Sequence, residues 1–289
     1  MNAHHVVPRG EADFDLYPYT PSAIAGYIFL VLFGIAAATH VVWAIWMRTW
    51  YFIPFILGCI GEAGGYYGRA WSHQDIRNGS PYLLQMMLIL GSAPLLAASI
   101  YMTLGRFIRA LNAEEHAIFR PRFITFVYVV IDIGSFVCQI MGSASQISGP
   151  EGARQGRLIV MGGLAVQLVA LVGFIAMSAT LHVRLNRRPT MASESPHVYW
   201  RRHMRILYAV CVLVLVRNLF RLIEFAEGAD GVIARTEALL YIFDPSLLFA
   251  AAVCWAVAHP GMLLRSIRKA ESKPTSEDGP FIPLREQSR

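Results

Sequence analysis

Runs of some 20 apolar residues, each closed off by charge, recur along this chain, and no other feature restricts its folding as much. A hydrocarbon layer about 30 Å thick takes roughly 20 mostly apolar residues per helical crossing. Of the 289 residues, 55% are hydrophobic and only 15% charged, too little charge to cover a soluble globule of this size. Apolar runs between charge clusters place helices over about 23–47, 51–69, 82–105, 123–142, 158–182, 204–225 and 237–259. The expected fold is all-α, a polytopic membrane protein forming a seven-transmembrane helix bundle. Residues 51–69 are the least apolar run, with Pro54, Glu62 and five glycines. Omitting that run leaves an even number of crossings and scatters the flanking charge over both sides.

With seven crossings the flanking charge separates. One side carries 17 Arg and Lys, among them Arg48, Arg106, Arg109, Arg187, Arg202 and Arg268. The other carries five: Arg9, Arg77, Arg154, Arg157 and Arg235. Positive charge is retained in the cytosol, which puts the N-terminus outside and the C-terminus in the cytosol. Residues 1–22 then form an extracellular segment without the basic, apolar and small-residue order of a cleavable signal, so the first helix is expected to direct insertion. Residues 23–259 form the transmembrane domain. Residues 260–289, charged and carrying Pro274, Pro280 and Pro283, read as a cytosolic tail without a fold of its own. The sequon Asn78-Gly79-Ser80 falls in an outer loop, where glycosylation would require it. The net charge of +6 flanks apolar runs instead of forming a continuous patch, so nucleic acid is not an expected partner. Cys59, Cys138, Cys211 and Cys254 all lie in expected spans and suggest no disulfide framework.

Ionisable side chains inside the spans carry the functional signal, since each costs about 2.5–3.5 kcal/mol at a helix centre on insertion scales. Arg217, Arg221 and Glu224 stand at i, i+4 and i+7, on one helical face beside Asn218. Glu237, Tyr241 and Asp244 repeat that spacing, as do Glu62, Tyr66 and Arg69. The fourth span offers Tyr128, Asp132, Ser135 and Gln139, and the third Gln85, Ser92 and Ser99. Most of these lie between the middle of the membrane and its outer edge, which suggests a polar chamber open to the outside. Five acids, Glu62, Asp132, Glu224, Glu237 and Asp244, face three arginines, Arg69, Arg217 and Arg221. The excess of carboxyls suits a cationic ligand group or proton carriage, and the other reading is a set of structural ion pairs. Pro94 and Pro245 each free a backbone carbonyl, of Leu90 and Tyr241. Gly61 with Gly65, and Gly64 with Gly68, are spaced for close helix packing.

Several ordered segments give a family resemblance. They are Gly65-Tyr66 with Arg69; Pro81-Tyr82-Leu83-Leu84-Gln85, then Ala93-Pro94 and Ile100-Tyr101 through Leu104-Gly105-Arg106; Asp132 with Gln139 and Gly142; Arg217-Asn218-Leu219-Phe220-Arg221 through Glu224 and Gly228; and Glu237, Tyr241 and Asp244. Over about residues 20–262 the chain resembles the fungal lipid-translocating exporters, also called RTA-like proteins. The resemblance implies a seven-helix membrane protein linked to movement of, or resistance to, amphiphiles such as sphingoid bases and sterol-like toxins; some relatives are linked to porphyrin uptake. It implies transport of a lipid-like partner at the plasma membrane or an endomembrane. The candidate substrate-binding set is Glu62, Arg69, Gln85, Asp132, Gln139, Arg217, Arg221, Glu224, Glu237, Tyr241 and Asp244.

No G-x-x-x-x-G-K-[ST] loop occurs, so uphill transport would draw on an ion gradient or a second protein. No cofactor and no metal are expected. His40, His182 and His259 lie on different helices without an H-E-x-x-H pattern, against a zinc amidase. A membrane enzyme of lipid or terpenoid metabolism, with Glu62, Asp132 or Asp244 as general acid, stays open as the alternative. A seven-helix receptor ranks below it, because the third span ends Leu104-Gly105-Arg106 and the outer side has no cysteine pair.

Overall fold

The computed structural model describes residues 16, 17, 19–145, 150–228 and 231–271, and all regular structure among them is helical. The helices are α1 (Ala23–Met47), α2 (Ile53–Trp71), α3 (Gly79–Ala110), α4 (Pro121–Ser145), α5 (Pro150–Arg187), α6 (Met191–Glu194), α7 (Trp200–Glu227), α8 (Val232–Arg235), α9 (Glu237–Phe243), α10 (Pro245–Val257) and α11 (Pro260–Glu271). Among the described residues six stretches are long and apolar enough to cross a membrane: α1, α3, α4, most of α5, α7, and the run Glu237–Ala270 that covers α9, α10 and most of α11. The 19-residue α2 is not among them.

Local chemistry sets the boundaries. Ser22 caps α1 by accepting from the Ala25 N–H, and Asn78 caps α3 by accepting from Ser80 N–H. Pro54 stands in the first turn of α2, where its missing N–H would have had no intrahelical acceptor. The helix expected over 237–259 breaks at Asp244, whose successor Pro245 opens α10. The carbonyl of Tyr241 released by that break accepts from Ser246 Oγ at 2.7 Å. Residues 260–271, read from sequence as the start of an unfolded tail, form α11, with Leu263 and Ile267 buried one turn apart and Arg265, Arg268 and Lys269 exposed. The rest of that tail, 272–289, and residues 1–15 and 18 of the N-terminal segment lie outside the described residues.

The long helices close into a ring in the order α1, α2, α3, α4, α5, α7 and α9–α10, with α10 returning to α1. Close contacts set the directions. A Cβ on Gly26 would meet Ala70, while the ring of His40 packs on Phe55, so α1 and α2 run antiparallel. Gly58 faces Leu96 and Gly68 faces Gln85, so α2 and α3 do the same. Gly105 by Pro121, Gly142 by Val160 and Tyr208 by Ser178 extend the alternation through α4, α5 and α7. Large apolar side chains point outward, among them Ile24, Ile28, Val42, Phe126 and Val169. Glu62, Asp132, Arg217 and Asp244 point inward and are at most 4% exposed. Apolar outside and charged inside is the arrangement a lipid solvent selects.

Candidate functional site

At the break between α9 and α10, Asp244 meets charged side chains of α7 and a tyrosine hydroxyl of α2. Asp244 Oδ1 pairs with Arg217 Nε of α7 at 2.7 Å and lies 3.9 Å from Arg221 Nε. Its other oxygen accepts from the Tyr66 hydroxyl of α2 at 3.1 Å. Arg221 is held in turn by Glu224 at 2.8 Å, and Asn218 Oδ1 stands 3.5 Å from Arg217. The i, i+4, i+7 spacing on α7 delivers these groups to one face, and the kink at Asp244 turns its carboxylate toward that face.

A second cluster sits one to two turns away, toward the end that carries the start of α1. Arg69 donates from Nε to the Tyr241 hydroxyl at 3.0 Å and from Nη2 to the Tyr19 hydroxyl at 2.6 Å, and it lies 3.3 Å from Glu237. Three tyrosine rings surround its guanidinium at 5.3–5.9 Å: Tyr17, Tyr19 and Tyr241. Glu237 also accepts from the Ser22 N–H at 2.8 Å. Gln85 accepts from the Tyr17 hydroxyl at 2.9 Å, and Ser72 lies 3.0 Å from the same hydroxyl. Burial pushes the Tyr17 phenol up to about 12, and burial likewise raises Tyr19 against the lowering effect of Arg69. The described residues just before α1 thus lie across the site. Leu16 and Pro21 fasten them to the α2–α3 connection, through Ile76 O and the His73 ring.

The remaining two acids form no ion pair among the described residues. Glu62 is fully buried on α2 and accepts from Ser92 Oγ of α3 through one oxygen only; the other has no partner among the described residues. Asp132 on α4, 1% exposed, faces Tyr101 and Gln167 without a well-formed hydrogen bond to either. Gln139 donates to Gln167 at 3.4 Å. Three acids therefore match three arginines one to one, Glu237 with Arg69, Asp244 with Arg217 and Glu224 with Arg221, and the excess carboxyls of the sequence are Glu62 and Asp132.

These groups converge inside the ring of helices. Gln139, Gln167, Arg217 and Arg221 line a space of about 10 Å³ beside Pro94, about room for one water. Sequence reasoning missed Gln167, a single amide within the apolar run of α5, and also Tyr17, Tyr19 and Ser22. The Tyr-x-Tyr-x-x-Ser pattern ahead of the first span was the available signal. Among the described residues no three His, Cys, Asp or Glu side chains stand close enough together to hold a metal ion.

A family model described as RTA1 like protein matches residues 55–267, which include every site helix except α1. The chain is 32% identical to Protein RTA1 of Saccharomyces cerevisiae, over 86% of this chain and 85% of that protein. It is 28% identical to Protoporphyrin uptake protein 1 of the same yeast, over 86% and 92%. It is 25% identical to the Sphingoid long-chain base transporter RSB1 of Saccharomyces cerevisiae strain Lalvin EC1118, over 82% and 71%. No solved structure matches.

Proposed function

We propose, from the premise that this chain belongs to the RTA1-like family and is a multi-pass membrane protein, that it moves an amphipathic lipid with a cationic head across its bilayer. The observation that carries this is the pair Glu62 and Asp132, two buried carboxyls that form no ion pair among the described residues. A buried carboxylate without a partner is costly, and an incoming ammonium group supplies both the missing charge and the missing hydrogen bonds. A sphingoid long-chain base has such a head, and one relative, RSB1, is named as a transporter of that class. Arg69, Gln85, Gln139, Arg217, Arg221, Glu224, Glu237, Tyr241 and Asp244 would complete the path and keep the acids oriented. The space beside Pro94, with room for about one water, would have to widen for a head group to pass. The break at Asp244–Pro245 and the kink-prone Pro94 are the places in the interior where backbone hydrogen bonding is already relaxed.

The accompanying topology has seven crossings, α2 being the seventh. Its support is that α2 lies antiparallel to both neighbours and hides its charges against them. Counting α2 as a crossing, the segments between crossings and at the two ends alternate so that the sequence assigns 17 basic residues to one side and five to the other. Residues 1–22 are then extracellular, the chain from 260 onward is cytosolic, and the Arg69 cluster lies in the outer half of a plasma-membrane protein.

The test is movement of a labelled sphingoid base in vesicles carrying the purified chain. Glu62→Gln and Asp132→Asn are each expected to slow movement about tenfold, the scale of one lost charge-assisted hydrogen bond. Unchanged rates in both variants, with the proteins folded, would sink the proposal.

A further inference from the structure

The basic end of the ring holds a second polar feature, remote from the acids and built from different elements. Two adjoining clefts, of about 330 and 240 Å³, share Arg106 of α3 and Leu264 and Arg268 of α11. Arg109 extends one of them, and Arg48 and Arg265 the other. Five guanidinium groups thus border one region, and among the described residues none of the five makes an ion pair. Their recorded partners are rings and a backbone carbonyl. Arg106 lies 4.2 Å over Tyr51, Arg265 lies 5.8 Å over Trp46, and Arg109 donates to Gly105 O. So dense a group of like charges repels itself unless an anion enters.

Two further observations point to an occupant. Thr49 is 3% exposed and Tyr51 is half-buried; both line the smaller cleft, and neither hydroxyl oxygen has a hydrogen-bond partner. Buried hydroxyls are normally satisfied, and two orphans beside unpaired arginines match the acceptor oxygens of a phosphate. Arg48 itself adopts φ +52°, the left-handed conformation that glycine takes more cheaply at a helix end. An arginine there gives up stability to set a guanidinium at the cleft mouth. Trp46 and Trp50, both more than half exposed, flank the region as interfacial aromatics do.

We infer that the cleft between α11, the end of α3 and the α1–α2 connection is a binding site for a phosphate-bearing head group. Arg106 and Arg268 grip the phosphate, Thr49 and Tyr51 donate to it, and Arg48 and Arg265 close the rim. The acyl chains of an anionic phospholipid would lie along Trp46 and the outer surface of α1; a soluble phosphate ester would use the same grip without them. Filling the site ties α11 to the rest of the ring through charges that otherwise push it away.

The test is native mass spectrometry of the full chain in detergent, titrated with dioleoyl phosphatidic acid or dioleoyl phosphatidylcholine. Retention of phosphatidic acid is expected to exceed that of phosphatidylcholine about tenfold. The paired substitution Arg106→Gln with Arg268→Gln should abolish the preference. Arg48→Gly, which suits the backbone at φ +52° and so keeps the fold, should reduce it several-fold. Displacement of phosphatidic acid by millimolar glycerol 3-phosphate would assign the site to soluble phosphate esters, and resistance to displacement would assign it to lipid. Equal retention of the two lipids, or a preference untouched by the arginine substitutions, would overturn the inference.

Discussion

Asp244 gathers Arg217 at 2.7 Å and the Tyr66 hydroxyl at 3.1 Å, all three buried, so its partners are bound to one another energetically. Removing one member of such a pair leaves an uncompensated buried charge, at about 3–5 kcal/mol, whereas replacing both by apolar residues is often neutral. Arg217→Met alone is therefore expected to lower the thermal unfolding midpoint in detergent sharply. Arg217→Met combined with Asp244→Leu should recover most of the loss, and the intrinsic fluorescence of the six tryptophans reports both. If the double variant is no more stable than the single, the ion pair is not what holds this junction. Arg69 obeys a different rule, because tyrosines share its stabilisation with one acid. Tyr19→Phe removes a single 2.6 Å hydrogen bond and keeps the ring over the guanidinium, so a loss of about 1–2 kcal/mol in the same measurement is expected.

Helix contacts explain which parts of this architecture could be read from sequence. The stripes Arg217, Arg221, Glu224 and Glu62, Tyr66, Arg69 were legible because helical period puts them on one face whatever the neighbours are. The pairs Arg217–Asp244 and Arg69–Glu237 were not, since they depend on how α7 and α2 meet the α9–α10 segment; Arg221–Glu224 lies within α7. Gln167 has no periodic companion in α5, and Tyr17 and Tyr19 precede any helix, so pattern gave them no weight. The helix at 260–271 was hidden by the prolines and charge that follow it, although Leu263 and Ile267 at i and i+4 mark its buried face. The glycines of α2 were read as packing residues, and contact geometry now ranks the glycines. A Cβ on Gly68 would stand 3.0 Å from the backbone of both Gln85 and Pro81, which cannot give way without parting α2 from α3. A Cβ on Gly134 of α4 meets nothing within 4 Å. Gly68→Ala should cost about 1–3 kcal/mol through overpacking, and Gly134→Ala should gain about 0.5–1 kcal/mol from the helical preference of alanine. Equal melting temperatures for the two variants would contradict the close approach of α2 to α3.

At the scale of the whole molecule the number of crossings depends on α2, the helix whose charge makes it fall short on apolarity alone. Its polar side chains do not have to meet lipid. Glu62 and Arg69 are buried against α1, α3 and the α9–α10 junction, and lipid sees Leu57 and Ile60, which are about half exposed. A helix can therefore cross at lower mean hydropathy when its neighbours take up its charges. Antiparallel packing of α2 on α1 and α3 then puts the α2–α3 connection on the face opposite the α3–α4 connection. In a chain whose four cysteines are replaced by alanine, single substitutions Gln74→Cys and Glu115→Cys place a thiol in each connection, both at exposed positions. A membrane-impermeant maleimide applied to intact cells should label Gln74→Cys and leave Glu115→Cys unlabelled until the membrane is permeabilised. The inverse pattern would keep seven crossings but turn the molecule over, setting the Arg69 cluster toward the cytosol. Labelling of both from the same side would mean that α3 does not cross, and the seven-helix arrangement would fall.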